Sequence, residues 1–286
     1  MDNWKNYLKT QTFRLLDHTT KHHSVNKMDS AMTSFAIDDA IALSVSDNSS
    51  PATLRLWSHD KTVVLGIPDG RLPYLEEGVR FLHHHQYDVI IRNSGGLAVA
   101  LDEGVINLSL ILPAARQLSI NDAYDIMYQF VQLTLQDLTT NIRAYEIVGS
   151  FCPGDYDLSI NGVKFAGISQ RRLKNGVTIH IYIDVNGDSK TRAEIVRDFY
   201  DLSLKNEQTT FTYPTVKPEK MASLATLLNT EITTEQMIER IKHTITKLSK
   251  EVIISPLTDQ ELTTFETRFA QMHKRNEKIS EYKLNR

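Results

Sequence analysis

The sequence predicts a mixed α/β domain, a sheet of α+β type backed by helices and followed by a helical C-terminal tail. Three observations carry this. Short apolar runs separated by turn residues fill the chain from 54 to 112. Two Asn-Gly pairs, at 161–162 and 175–176, interrupt alternating stretches, and Asn-Gly best accepts the positive φ values of a tight hairpin turn. From about Pro218 the pattern changes to amphipathic runs headed by capping-box spacings, Thr233 with Gln236 and Thr258 with Glu261.

Taken in order, residues 1–30 are polar and rich in His, Lys and Thr. They read as an N-terminal extension with one short strand at 12–16 and a flexible segment at 18–23. Phe35, Ile37, Ala40, Ile41 and Val45 are spaced for a buried helix over 33–45, ended by Asn48-Ser49-Ser50-Pro51. LRLW (54–57), TVVLG (62–66), DVIIR (88–92), LAVAL (97–101) and VINLSLIL (105–112) read as strands. With NSGG and DEG as hairpin turns, 88–112 reads as a three-stranded meander. Asn121-Asp122 suits the cap of a helix reaching about Leu138. A second meander follows over 156–184, in which the turn at Asn161-Gly162 sets Ser159 opposite Lys164. In its last strand Val177, Ile179, Ile181 and Ile183 alternate with Thr178, His180, Tyr182 and Asp184, the pattern of a half-buried strand. The sheet domain then spans about 31–215, with the tail packed on it.

Bulk properties narrow the function. In 286 residues, 41% are hydrophobic and 23% charged, with a net charge of −3, so no basic field recommends nucleic acid or an anionic membrane as partner. A single cysteine excludes an intrachain disulfide framework, and no apolar run has the length of a membrane span. A cytoplasmic protein is the expectation.

That cysteine, Cys152, stands in GSFCPGD between Gly149 and Gly154, with Pro153 after it. A thiol is a nucleophile only as thiolate, which a nearby cation or several N–H groups favour. By the folding of the hairpin, Lys164 is the nearest cation, suited to lowering the thiol pKa and to polarising an acyl carbonyl. A small packed residue is the other reading. Arg92-Asn93-Ser94-Gly95-Gly96 offers turn N–H groups to a carboxyl or acyl carbonyl, with Arg92 as charge partner. It also fits a tight hairpin with no ligand. Neither phosphate-cradling glycine pattern is present. His83-His84-His85 cannot all face one ion and reads as an exposed helix end. Asp38-Asp39 and Glu76-Glu77 read as solvated helix faces, and His180, pointing outward, is a conceivable proton carrier.

RNSGGLAVALDEGVINLSL (92–110) resembles the Arg-x-x-Gly-Gly-x-Ala-Val segment of the biotin/lipoate ligase and lipoyl/octanoyl transferase superfamily. YDLSINGVKFAGISQRR (156–172) resembles its second signature, an Asp-Leu strand, a turn and Lys-x-x-Gly. The longer string GSFCPGDYDLSINGVKFAGISQRR is similar to the cysteine-dependent octanoyl amidotransferase branch, and SFAIDDAIALSV, SPATLRLW, VVLGIPDGRLPYLEEG and YPTVKPEKMASLATLL agree. The resemblance implies a biotin/lipoate ligase catalytic-domain fold over 31–230, flanked by the extension 1–30 and a helical segment 231–286. It implies that Cys152 carries an acyl thioester and that Lys164 lowers its pKa. Gly95 and Gly96 would line an acyl tunnel with Arg92 and Ser94 near its mouth, Asp157 would hold the lysine strand, and Gly167 completes Lys-x-x-Gly. The implied donor is octanoylated glycine cleavage H protein. The implied acceptors are lipoyl domains of 2-oxoacid dehydrogenase acyltransferase subunits, with no cofactor and no metal. Ala100-Leu101-Asp102 replaces the ligases' usual Val-x-His-Asp, which argues against adenylate chemistry. The rival readings are an octanoyltransferase drawing on acyl carrier protein, an ATP-dependent lipoate ligase and a non-catalytic binder of acylated domains.

Overall fold

The structure, a computed structural model, describes residues 8, 9, 11–19, 30–113 and 116–282. Most of the segment expected to be flexible, 20–23, lies outside them. The first half of the described chain holds β1 (Thr12–His18), α1 (Ala31–Ser46), β2 (Ala52–Trp57), β3 (Thr62–Leu65), α2 (Leu75–His84), β4 (Asp88–Ile91), β5 (Val99–Leu101), β6 (Val105–Leu112) and α3 (Ile120–Thr134). The second half holds β7 (Ile142–Ala144), β8 (Asp157–Ile160), β9 (Val163–Leu173), β10 (Gly176–Asp184), α4 (Ser189–Leu204), α5 (Leu224–Leu228), α6 (Thr234–Leu248), β11 (Glu251–Ile254) and α7 (Asp259–Ser280).

Among the described residues, eight strands form the larger sheet, in the order β11-β1-β2-β6-β10-β9-β8-β7, and three form a smaller one, β4-β3-β5. The sheets share a layer of buried side chains from α1, β3, β5 and α4, while the opposite face of the larger sheet is covered by α3 and α6. This arrangement corrects the first predicted meander. β4 and β5 do not pair with each other but flank β3, parallel and antiparallel respectively, and β6 joins β2 and β10 in the other sheet. The glycine-rich segment between β4 and β5 is therefore a crossover at one end of the smaller sheet, not a hairpin turn. The strand in the predicted extension also has a larger part: β1 lies between β11 and β2, parallel to both, so tail and N-terminus meet in the main sheet.

The second meander is present as read, with Ser159 opposite Lys164 and positive φ at Asn161 (53°) and Gly162 (77°). The next turn is displaced by one residue. Its positive φ falls on Lys174 (52°), and Gly176 instead opens β10, where a Cβ would stand 2.2 Å from the Ala42 carbonyl oxygen of α1. β10 is buried along its whole length rather than on one face, because helices cover one side and the α1 layer the other. His180 therefore points inward, not to solvent. The helix expected to be capped at Asn121-Asp122 and to reach about Leu138 is capped two residues earlier, by a box between Ser119 and Asp122, and ends at Thr134, while the expected boxes at Thr233 and Thr258 both form.

Asp38 and Asp39 are buried, contrary to a solvated reading, and each anchors α1. Asp38 accepts from Arg55 Nε (2.7 Å), Ser109 Oγ (2.7 Å) and His180 Nε2 (3.1 Å) of the larger sheet. Burial alone would raise its pKa, but Arg55 and then His180 hold it well below the usual carboxylate range. Asp39 accepts from Arg171 of β9 and from Asn93 Nδ2 (3.1 Å), tying the crossover to the larger sheet. By contrast, Glu76, Glu77, His84 and His85 are exposed on α2 and its end.

The tail is bolted on by a second buried pair. Glu261 of α7 takes a forked contact from Arg14 of β1 (2.6 and 2.8 Å) and bonds from Ser44 (2.6 Å) and Ser50 (2.9 Å). Burial opposes ionisation, but the Arg14, Ser44 and Thr258 donors prevail and lower its pKa from 4.5 to about 2. A depressed carboxylate pKa stabilises the fold above the unfolded value and loses that contribution as pH falls through the folded one. Acid unfolding should therefore steepen between about pH 4.5 and 2, with on the order of 3 kcal/mol lost to this group. Glu261→Gln should flatten that part of a urea-stability profile against pH.

Candidate active site

Cys152 lies between the end of β7 and the start of β8, on a loop bent tightly enough to place it at φ +46°. That left-handed conformation is costly for a non-glycine residue, about 1–3 kcal/mol, and needs outside support. The support comes from below. Lys164 Nζ, fully buried on β9, donates to Phe151 O (2.9 Å) and Cys152 O (2.9 Å) and pairs with Asp157 Oδ1 at 2.7 Å. Asp157 Oδ2 accepts from the Ile147 N–H (3.0 Å) and Ser150 Oγ (3.3 Å), so one carboxylate holds both the lysine and the loop. Gly167 leaves room for this: a Cβ there would stand 2.8 Å from Tyr182 Cε1 and 3.3 Å from Lys164 Cε. Gly149, at φ +92°, accepts at its carbonyl from the Lys217 N–H (2.7 Å) and fixes the loop's other end.

The sulfur faces the other way, toward the smaller sheet. Sγ accepts from the Leu97 N–H (3.1 Å) and from Arg92 Nη2 (3.4 Å). The cation in hydrogen-bond reach of the thiol is thus Arg92, not Lys164, whose N–H groups are committed to the loop's carbonyls and to Asp157. Arg92 is placed by its neighbours on β4. The preceding residue, Ile91, donates its N–H to Asn276 Oδ1 (2.6 Å) and accepts from Asn276 Nδ2 (3.1 Å), so α7 caps the strand end like a further strand. Arg92's own N–H reaches Leu65 O at 2.9 Å.

Of the glycine pair, Gly96 is the one against the sulfur. It takes φ +99°, and a Cβ on it would stand 2.9 Å from Sγ and 2.2 Å from Arg92 Nη2; at Gly95 a Cβ would meet open space. Gly96→Ala should slow acyl transfer about a hundredfold by pushing Arg92 and the thiol apart. Transfer kinetics, read beside a melting curve showing the fold intact, would check this. Ser94 is buried, and its Oγ has no hydrogen-bond partner among the described residues.

Behind Arg92 a narrow cavity of about 30 Å³ runs between the two sheets, lined by Phe35, Trp57, Val64, Val99, Gly167 and Tyr182 among others. Ser94, Gly95 and Gly96 are not part of its wall. Asn107, His180 and Tyr182 also line it, and Asn107 Nδ2, His180 Nδ1 and Tyr182 Oη have no hydrogen-bond partner among the described residues. Tyr182, buried near Asp157 and Cys152, is pushed well above the ordinary phenol range, so it stays protonated. Sequence reasoning did not single out Leu97, Tyr182 or Asn276. The N–H of Leu97 is a backbone group with no residue-type signal, and Asn276 sits in the basic stretch QMHKRNEKISEYKLNR, which with Glu277 and Glu281 at helical spacings reads as a solvated helix face.

A model of the lipoyl protein ligase A/B catalytic domain matches residues 30–246. The chain belongs to this family. Among its members, a relative from Oceanobacillus iheyensis is 53% identical over 277 residues, covering 97% of this chain and 99% of its own length, and is named octanoyl-[GcvH]:protein N-octanoyltransferase. A relative from Listeria monocytogenes, 42% identical over 273 residues and covering 95% of this chain and 97% of its own, is named lipoyl-[GcvH]:protein N-lipoyltransferase. The family's fold is equally clear in the bipartite lipoate protein ligase of Thermoplasma acidophilum, which superposes with a TM-score of 0.69 at 18% identity over 97% of this chain and 98% of its own. Among the described residues no helix is long and apolar enough to cross a membrane.

Proposed function

We propose that this member of the lipoyl protein ligase A/B family is an octanoyl amidotransferase that works through a thioester on Cys152. The observation that supports it most directly is the position of the sulfur. Sγ lies against two hydrogen-bond donors, the Leu97 N–H and Nη2 of Arg92, a residue that also lines the intersheet cavity, and such donors favour a thiolate. The donor is the octanoyl amide on a lysine of the H protein, as the names of the relatives suggest. The acceptors are lysines on lipoyl domains of 2-oxoacid dehydrogenase acyltransferase subunits, and the reaction takes place in the cytoplasm.

In the first half-reaction the thiolate bonds to the amide carbonyl carbon, and the carbonyl electrons move onto oxygen. The oxyanion meets donors that are already in place, Arg92 and the turn around Gly96. As it collapses, the carbon–nitrogen bond breaks and the lysine amine leaves with the proton that the thiol gave up on ionising, giving the thioester. The acceptor's neutral amine then attacks the same carbon, the carbon–sulfur bond breaks, and the proton shed by the new amide nitrogen restores the thiol. One amide is exchanged for another, so the overall free-energy change is small and no nucleotide enters. Lys164 keeps the strained loop in place, with its Asp157 pair, rather than touching the sulfur.

Intact-mass measurement after mixing the protein with octanoylated H protein, without ATP, tests this. An octanoyl adduct that hydroxylamine removes, and that passes to an added lipoyl domain, is expected. Labelling only by octanoyl acyl carrier protein, or only by free acid with ATP, would replace this reading by the thioester-using transferase or the ligase.

A further inference from the structure

A chain of buried polar groups runs away from the thiol's donors and has no part in the chemistry above. The peptide joining Leu97 to Ala98 is gripped at both edges. Arg92 Nη2 donates to its carbonyl oxygen at 2.9 Å, and its N–H donates to Tyr200 Oη at 3.1 Å. Tyr200, on α4, donates in turn to Asp69 Oδ1 at 3.0 Å. Asp69 Oδ2 accepts the Gly66 N–H at 2.7 Å. Gly66 is the floor of the crossover: a Cβ there would stand 1.9 Å from the Gly96 carbonyl oxygen. One side chain, Asp69, thereby braces the segment 96–98 twice, through Gly66 beneath Gly96 and through Tyr200 beyond Ala98.

The groups in this chain are costly to bury. Asp69 and Tyr200 are both excluded from solvent (0% and 2% exposed), and burial lifts Asp69 to about 6 even against its bonds from Gly66 and Tyr200. Packing alone would be served at least as well by apolar side chains. What the polar chain supplies instead is direction. It fixes the plane of one peptide, and the same Arg92 Nη2 that holds the near edge of that plane also reaches the sulfur.

We propose that Asp69 and Tyr200 are positioning residues for acyl transfer, clamping the 97–98 peptide so that Arg92 and the Leu97 N–H are held on the Cys152 sulfur. The proposal rests on the reading of Cys152 as nucleophile. Without the clamp, the peptide turns, Arg92 loses its second anchor, and the thiolate loses directed donors. The other titratable groups around the sulfur, Tyr124, Tyr182 and the Lys164–Asp157 pair behind the loop, stay in place.

The test uses the full-length protein with Tyr200→Phe and, separately, Asp69→Asn. Transfer from octanoylated H protein is measured for kcat and KM, together with the rate of Cys152 alkylation by iodoacetamide at neutral and at strongly alkaline pH. Each variant should lose about tenfold to a hundredfold in kcat with KM changed by less than about threefold. Alkylation should slow at neutral pH and match wild type at alkaline pH, where every thiol is ionised. A lowered melting temperature with unchanged kcat and unchanged alkylation overturns the proposal. Should Tyr200→Phe not fold, Asp69→Asn decides alone, and if neither folds the pair is a folding element and the positioning role is withdrawn. Cys152→Ala run alongside separates the two readings. Transfer surviving in that variant removes the nucleophile itself, whereas its loss with wild-type behaviour of both clamp variants removes only the clamp.

Discussion

Replacing Cys152 by alanine is expected to lower octanoyl transfer by about a thousandfold or more. The loss should be total in the acyl-enzyme assay, because no other thiol exists in the chain. The substitution removes the sulfur but leaves its surroundings. Leu97 N–H and Arg92 still face the gap, and the loop is still held by Lys164, so stability should change little. Donor binding should therefore survive, with an H-protein affinity close to wild type while kcat collapses. A variant that still transfers at a tenth of the wild-type rate would rule out a covalent route.

Lys164→Met should be nearly as severe, for a different reason. Asp157 and Lys164 form a fully buried pair, and removing one member leaves the other charge without its partner, at a cost of about 3–5 kcal/mol. Asp157, already pushed up by burial against the pull of Lys164, would take up a proton. Two loop carbonyls, of Phe151 and Cys152, lose their donor at the same time. A double variant, Lys164→Met with Asp157→Leu, should regain much of the melting temperature. It should not regain transfer, since the Phe151 and Cys152 carbonyls still lack the donor that holds Cys152 in its left-handed conformation. Recovery of both together would mean that the pair serves stability alone.

How much of this was legible in the sequence varies with how local the cause is. The capping boxes at Thr233 and Thr258, the turn at Asn161-Gly162 and the facing of Ser159 and Lys164 depend on residues a few positions apart, and they form as read. The resemblance carried by the two signature strings pointed to the right family. What failed depended on partners far along the chain. The strand at 97–101 reads the same whether it pairs with 88–91 or with 62–65, and burial between two sheets chose the second. Asp38 and Asp39 look solvated until Arg55, His180 and Arg171 arrive from other strands. In sequence Arg92 reads as a charge partner for substrate, and its contact with the sulfur depends on where the crossover meets the loop. Even Gly176 reads as a turn residue, whereas its cause is the backbone of α1.

The two hydrogen bonds to the Cys152 sulfur are made across the gap between two sheets, over separations of 55 and 60 residues. On the proposed reading, Cys152 lacks both donors until the segment between β4 and β5 has met its loop. Reactivity is then a property of the finished molecule only. A partly folded copy has little means to seize acyl groups from a carrier it cannot hand on, and the rate of thiol alkylation becomes a direct gauge of how many copies in a preparation are completely assembled.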